Sequence, residues 1–140
     1  MKLTLKPGDA IPVYEREVTP EQLVRYAGAS GDYARQHWDH VYMVEHGFPG
    51  VIIHGWFTFA ILCEAVSRWL PPEEAEINSF KVRYHRTHAP GKVRCGGEVV
   101  SVRAGKEAEI VLSLWAEDEE GEKTTTASLI LRQFNYGPEN

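Results

Sequence analysis

The chain has 140 residues, 43% of them hydrophobic and 25% charged, the size and composition of one globular domain, 1–140, with a single core. Its 15 Lys+Arg against 20 Asp+Glu give a net charge of −5, which argues against nucleic acid and anionic membranes as partners. No apolar run approaches the roughly 18 residues of a spanning helix, and residues 1–9 lack the apolar stretch of a signal peptide. Cys63 and Cys95 stand too far apart for a zinc site or a disulfide framework. A cytoplasmic protein with reduced thiols is expected.

Alternation over 11–18 predicts a short strand or extended arm. Thr19 is a candidate N-cap with Pro20 at the first helical position, so a helix should follow and stop near Gly28 to Gly31. From 32 to 50 the text is polar, aromatic and irregular, which reads as loop and short helical turns, the usual place for function. The stretch 55–69 is the longest helical candidate. It is apolar nearly all round, and a helix of that kind must be enclosed. After Pro71-Pro72 the chain has strand character at 77–87, 92–102, 108–116 and 123–134, separated by turn signals at 89–91, 104–105 and 118–121. Short connections predict antiparallel neighbours. The expected architecture is α+β, an antiparallel sheet wrapped around one long central helix.

Three sets of residues carry candidate chemistry. Asp32 and His37 titrate, when free, at about 3.9 and 6.5, so at neutral pH they offer a carboxylate and a neutral imidazole, two acceptors able to hold and polarise one water. Gly55 opens the central helix. Its amide has no intrahelical partner, sits at the positive end of the helix dipole, and lacks a Cβ that would keep a carbonyl away. The third set is the basic ribbon 81–94, with Lys81, Arg83, Arg86, Lys92 and Arg94 and no acid. Its +5 within a net −5 leaves −10 on the rest of the chain. Such a ribbon suits phosphates or an acidic carrier, and Arg83, Arg86 and Lys92 are its candidate substrate-binding residues. The acidic run 117–122 reads as a solubilising hairpin tip.

The segments Tyr26-Ala27-Gly28-Ala29-Ser30-Gly31-Asp32, His37 and Gly47-Phe48-Pro49-Gly50-Val51-Ile52-Ile53-His54-Gly55, together with the aromatic-then-Pro-Gly turn at 84–93, resemble the MaoC-like dehydratases, the (R)-specific enoyl-CoA hydratase family of the hotdog fold. The resemblance covers about 19–121. It implies hydration of a trans-2-enoyl thioester to the (R)-3-hydroxyacyl thioester, or the reverse dehydration. Asp32, His37 and Gly55 would be its catalytic groups, and an acyl-CoA or acyl-carrier-protein thioester its substrate. It implies no metal or redox cofactor, and a homodimer with acyl pockets at the subunit interface. The family usually has Asn-Pro where Ala34-Arg35 stands, which leaves the turn less pre-set, with Arg35 free to form a local salt bridge.

His54 is expected to be a structural group bonded to nearby backbone. His40, His46, His85 and His88 lack metal-ligand spacing. Trp38, Trp56, Phe57 and Phe59 are candidates for an acyl tunnel. Two alternatives stay open: a thioesterase using Glu64, which in related hotdog thioesterases has an acidic counterpart on this helix, and a non-catalytic acyl-thioester-binding subunit.

Overall fold

The computed structural model describes residues 4–134. The tips of the expected 1–140 domain, residues 1–3 and 135–140, lie outside the described residues. Strand β1 (Ala10–Val18) leads into helix α1 (Pro20–Ser30). Thr19 caps α1 in a full capping box with Gln22, and Gly31 closes it at φ 77°, a left-handed conformation that suits glycine. A single 3-10 turn (Arg35–His37) and the short helix α2 (His40–Glu45) follow, then α3 (Gly55–Trp69), β2 (Ala75–Tyr84), β3 (Gly91–Arg103), β4 (Ala108–Glu117) and β5 (Lys123–Gln133).

All strand pairings are antiparallel and the order across the sheet is β1-β3-β4-β5-β2. The inner face of the sheet is the one that sequence alternation marks. Ala108, Ile110, Leu112, Leu114 and Ala116 of β4 are all buried, with Leu129 and Leu131 of β5 and Val93, Cys95 and Val99 of β3 beside them. Helix α3 lies on this face, where Ile61, Leu62 and Val66 fill the core. Cys63 and Cys95 are free thiols, and burial pushes Cys95 up to about 12. No helix among the described residues is long and apolar enough to cross a membrane.

Two expectations need correction. The short link between β2 and β3 does not join neighbours, because β4 and β5 lie between them. Residues 85–90 instead cross one end of the sheet. Six extended residues span up to about 20 Å, enough for three strand spacings of about 4.8 Å. The crossing chain is tied down by His85 N–H to the Thr124 carbonyl at 2.8 Å and by Ile53 N–H to the His88 carbonyl at 2.8 Å. Helix α3, in turn, is enclosed on all sides but one. Trp56, Ala60 and Ser67, each about one turn or two apart, stay exposed along one side of the helix, where only the Trp56 ring meets a strand residue, Phe80 of β2, among the described residues.

Candidate active site

The loop after α1 and the N-terminus of α3 meet beneath the crossing chain, and an open cleft of about 510 Å³ lies between them, lined by Asp32, Gln36, His37, Gly55, Trp56, Thr58 and residues 84–88. Asp32 is half exposed and divides its carboxylate. Oδ1 accepts from the Ala34 amide at 3.2 Å and so shapes the turn, while Oδ2 faces His37 Nε2 at 3.7 Å. The absent Asn-Pro is replaced by local contacts, as Arg35 pairs with Asp39 at 2.7 Å and lies over the Tyr42 ring.

His37 is buried, and its Nδ1 meets the Ile52 carbonyl at 2.8 Å. A carbonyl only accepts, so Nδ1 carries the proton and Nε2 presents a lone pair, to which the Gln36 amide donates at 3.3 Å. A carboxylate oxygen and an imidazole lone pair thus face each other across the mouth of the cleft. At 3.7 Å the two are close enough for one donor lying beside them to bond to both, in place of Gln36 at Nε2.

His54 stacks on His37 with ring centroids 3.8 Å apart, and its Nε2 donates to the Asp32 carbonyl at 3.2 Å. This is the backbone-bonded role expected of it, with one addition: Nδ1 is buried without a partner among the described residues. Burial, then the neighbouring His37, push the His54 imidazole below its ordinary range, so it is neutral at pH 7. Tyr26 packs its ring against both His54 and Phe57. Asp32, His37 and His54 each bring a possible ligand atom within 4.8 Å of the others. Hydrogen bonding turns the His37 Nδ1 and His54 Nε2 protons toward carbonyls, which leaves the Asp32 carboxylate and His37 Nε2 as acceptors facing each other.

Gly55 is the first residue of α3, and His54 gives that helix no side-chain cap. The Gly55 amide is therefore a helix-end donor beside the paired acceptors. The space where a Cβ would stand is filled by Tyr84, whose ring atoms come within 2.8 Å of that point. A side chain at 55 would have to push that ring aside, a constraint the sequence reading did not supply.

The basic ribbon does not converge. Arg86 lines the cleft and pairs with Glu122 at 3.1 Å. Arg83 lies in a different hollow, with Lys81, Ser113, Thr126 and Ser128 on the outer face of the sheet. Lys92 borders a third, near Phe48–Ile52 and Asp118–Glu120, and reaches Glu15 at 3.8 Å. Of the tunnel candidates Trp56 lines the cleft, while Phe57 and Phe59 are buried and the Trp38 indole donates to the Tyr33 carbonyl at 2.8 Å. Glu64 is clamped between Arg16 at 2.7 Å and Arg68 at 3.0 Å. Burial alone raises Glu64, but hydrogen bonds from Tyr14, Arg68 and Arg16 outweigh it and hold the carboxylate below its usual range. Sequence reasoning missed Gln36; Tyr26 and Tyr84 stood inside the quoted motifs without a place in the site, and Tyr84 had a further signal in its inward parity two residues beyond Val82.

A sequence model of the MaoC like domain matches residues 5–119. No characterised sequence matches at a significant level. Among solved structures, an (R)-hydratase from A. caviae involved in PHA biosynthesis superposes with a TM-score of 0.85 at 16% identity, over 94% of this chain and 99% of that one. The ChsH1-ChsH2 complex from Mycobacterium tuberculosis gives 0.81 at 23% identity, over 94% and 99%. The MaoC-like dehydratase from Rhodospirillum rubrum gives 0.83 at 17% identity, over 96% of each chain. At such identities the superpositions speak for the hotdog fold, and the domain match across most of the sequence makes the chain a member of the MaoC-like family.

Proposed function

We propose that this protein hydrates trans-2-enoyl thioesters to (R)-3-hydroxyacyl thioesters, or runs the reverse dehydration, in the cytoplasm and without a metal or redox cofactor. The observation that carries the reading is the pair of acceptors, Asp32 Oδ2 and His37 Nε2, 3.7 Å apart, beside the uncapped amide end of α3. Water held by both loses a proton to the pair as its oxygen bonds to C3, and a proton returns to C2, so one water is consumed and nothing else is released. Charge that develops on the thioester oxygen meets the Gly55 amide and the helix dipole. The (R) configuration is taken from the resemblance to the (R)-hydratases.

The thioesterase alternative is weakened by the Glu64 clamp, since a carboxylate held ionised by two arginines is a poor base or nucleophile. A silent binding subunit has no use for two acceptors opposed at a cleft. For the substrate's carrier, CoA or a carrier protein, we assign Arg86 at the cleft, with Arg83 and Lys92 contributing only at longer range. The protein is proposed to act as a homodimer, its second copy covering the open stripe of α3 and the free edge of β2.

The test follows enoyl absorbance and free thiol together with crotonyl-CoA. Loss of the enoyl signal without thiol is expected. Asp32→Asn and His37→Ala should each lower turnover by about 100-fold or more, in the range of general acid-base catalysis. The double variant should lose far less than the product of the two, because the groups act on one water. Glu64→Gln should leave hydration intact; thiol release that vanishes in Glu64→Gln would favour the thioesterase. Arg86→Ala should raise KM for the CoA thioester with little change in kcat, and a flat KM removes Arg86 from carrier binding.

A further inference from the structure

Strand β2 turns alternate residues inward, so Val82 and Tyr84 point to α3 while Arg83 points out. Tyr84 is the last residue of the strand, where the chain leaves to cross the end of the sheet. Its ring reaches Gly55 with its far end: Cζ, the carbon that bears the hydroxyl, is 2.8 Å from where a Gly55 Cβ would stand, with Cε1 and Cε2 at 2.9 and 3.2 Å. The phenol oxygen therefore lies over the first turn of α3, in the wall of the cleft that also holds Asp32 and His37. Among the described residues no hydrogen bond engages the Tyr84 hydroxyl, and the residue is 44% exposed, open to the cleft. A free donor next to the amide end of a helix, in a cleft with two acceptors opposite, is the arrangement that stabilises a developing oxyanion.

Building on the hydratase reading, we propose that the Tyr84 hydroxyl donates to the thioester oxygen alongside the Gly55 amide, as a second catalytic donor. Burial, and then the neighbouring Tyr26, raise the Tyr84 phenol above its ordinary range. It therefore keeps its proton at neutral and mildly alkaline pH and remains a donor throughout. In the ground state the thioester carbonyl is a weak acceptor. As the enolate forms, both donors strengthen, so the contribution falls on kcat and hardly on KM.

Tyr84→Phe keeps the ring on Gly55 and removes only the oxygen. It should melt with the wild type and hydrate crotonyl-CoA with kcat lowered about 100-fold and KM within a few-fold, the usual cost of one oxyanion donor. Acetoacetyl-CoA provides a readout that needs no turnover, because its enolate absorbs in the ultraviolet. Bound to the wild type it should ionise at lower pH than in solution, and bound to Tyr84→Phe that displacement should shrink. If the wild type fails to hydrate crotonyl-CoA but the enolate displacement depends on Tyr84, the hydratase reading falls and the donor stands. If the wild type hydrates and Tyr84→Phe matches it in kcat, or displaces the enolate equally, the donor falls and the hydratase stands. No enolate displacement in the wild type, or a Tyr84→Phe variant that melts well below it, also overturns the donor.

Discussion

His54 shows how one side chain can hold a loop and a neighbouring ring in place. Its Nε2–H holds the Asp32 carbonyl while its ring face supports His37. It does both only when neutral, since a proton on the partnerless Nδ1 would put a charge where burial disfavours it. His88 is alike: buried, it meets Thr124 at 2.9 Å and the Lys92 carbonyl at 3.3 Å, and burial again lowers its pKa, against the smaller opposing pull of Lys92, Asp118 and Glu120. A folded pKa below the unfolded value of about 6.5 means that the unfolded chain binds protons first as pH falls. Stability from both groups is complete above about pH 6.5 and is lost as pH drops toward their folded values. Melting temperature should therefore fall from pH 7.5 to 5.5, measured by differential scanning fluorimetry, and a flat profile would contradict the assignment. Asp32 and His37 were legible in the sequence because their spacing is local. The contact of Tyr84 with Gly55 was not, since it depends on where a strand ends and which way it faces.

Strand β3 shows how closely the elements are fitted. A Cβ on Gly97 would run into the Ser113 carbonyl oxygen of β4, and one on Gly96 would meet the Trp115 ring at 2.8 Å. Side-chain neighbours can give way; a paired backbone cannot. Gly97→Ala should accordingly cost about 1–3 kcal/mol, the range for overpacking, readable by urea denaturation, whereas an unchanged midpoint would mean that the β3–β4 pairing tolerates a shift. Period-two patterning revealed β4 because one face is solvated and the other buried, as its alternating burial records. On β2 the same pattern carries little information: nearly every residue is exposed, because the strand is an edge. The course of 85–90 was hidden for a related reason, as Pro-Gly marks a bend without naming the strand that follows it as a neighbour.

For the molecule as a whole, the unfinished surface is the most informative part. Trp56 is 53% exposed and Phe80 45%, their rings 6.1 Å apart and joined through Phe59. Phe80 lies on β2 and Trp56 beside it on α3, and the outer edge of β2 has no strand beside it among the described residues. A long edge next to exposed aromatics is a surface that self-pairs. With a second copy as the occupant, sedimentation should give a dimer, and Phe80→Lys should shift it toward the monomer without unfolding it. A wild type that sediments as a monomer at micromolar concentration sinks the homodimer. The site itself is framed largely by main-chain atoms: His37 on the Ile52 carbonyl, His54 on the Asp32 carbonyl, Ile52 N–H on the Gln36 carbonyl, and Ile53 N–H on the His88 carbonyl. A peptide group is the same whatever residue carries it, so this frame is insulated from sequence drift. Ala34-Arg35 can therefore occupy the turn without loosening this frame, and the walls of the cleft can outlast changes in the side chains that line it.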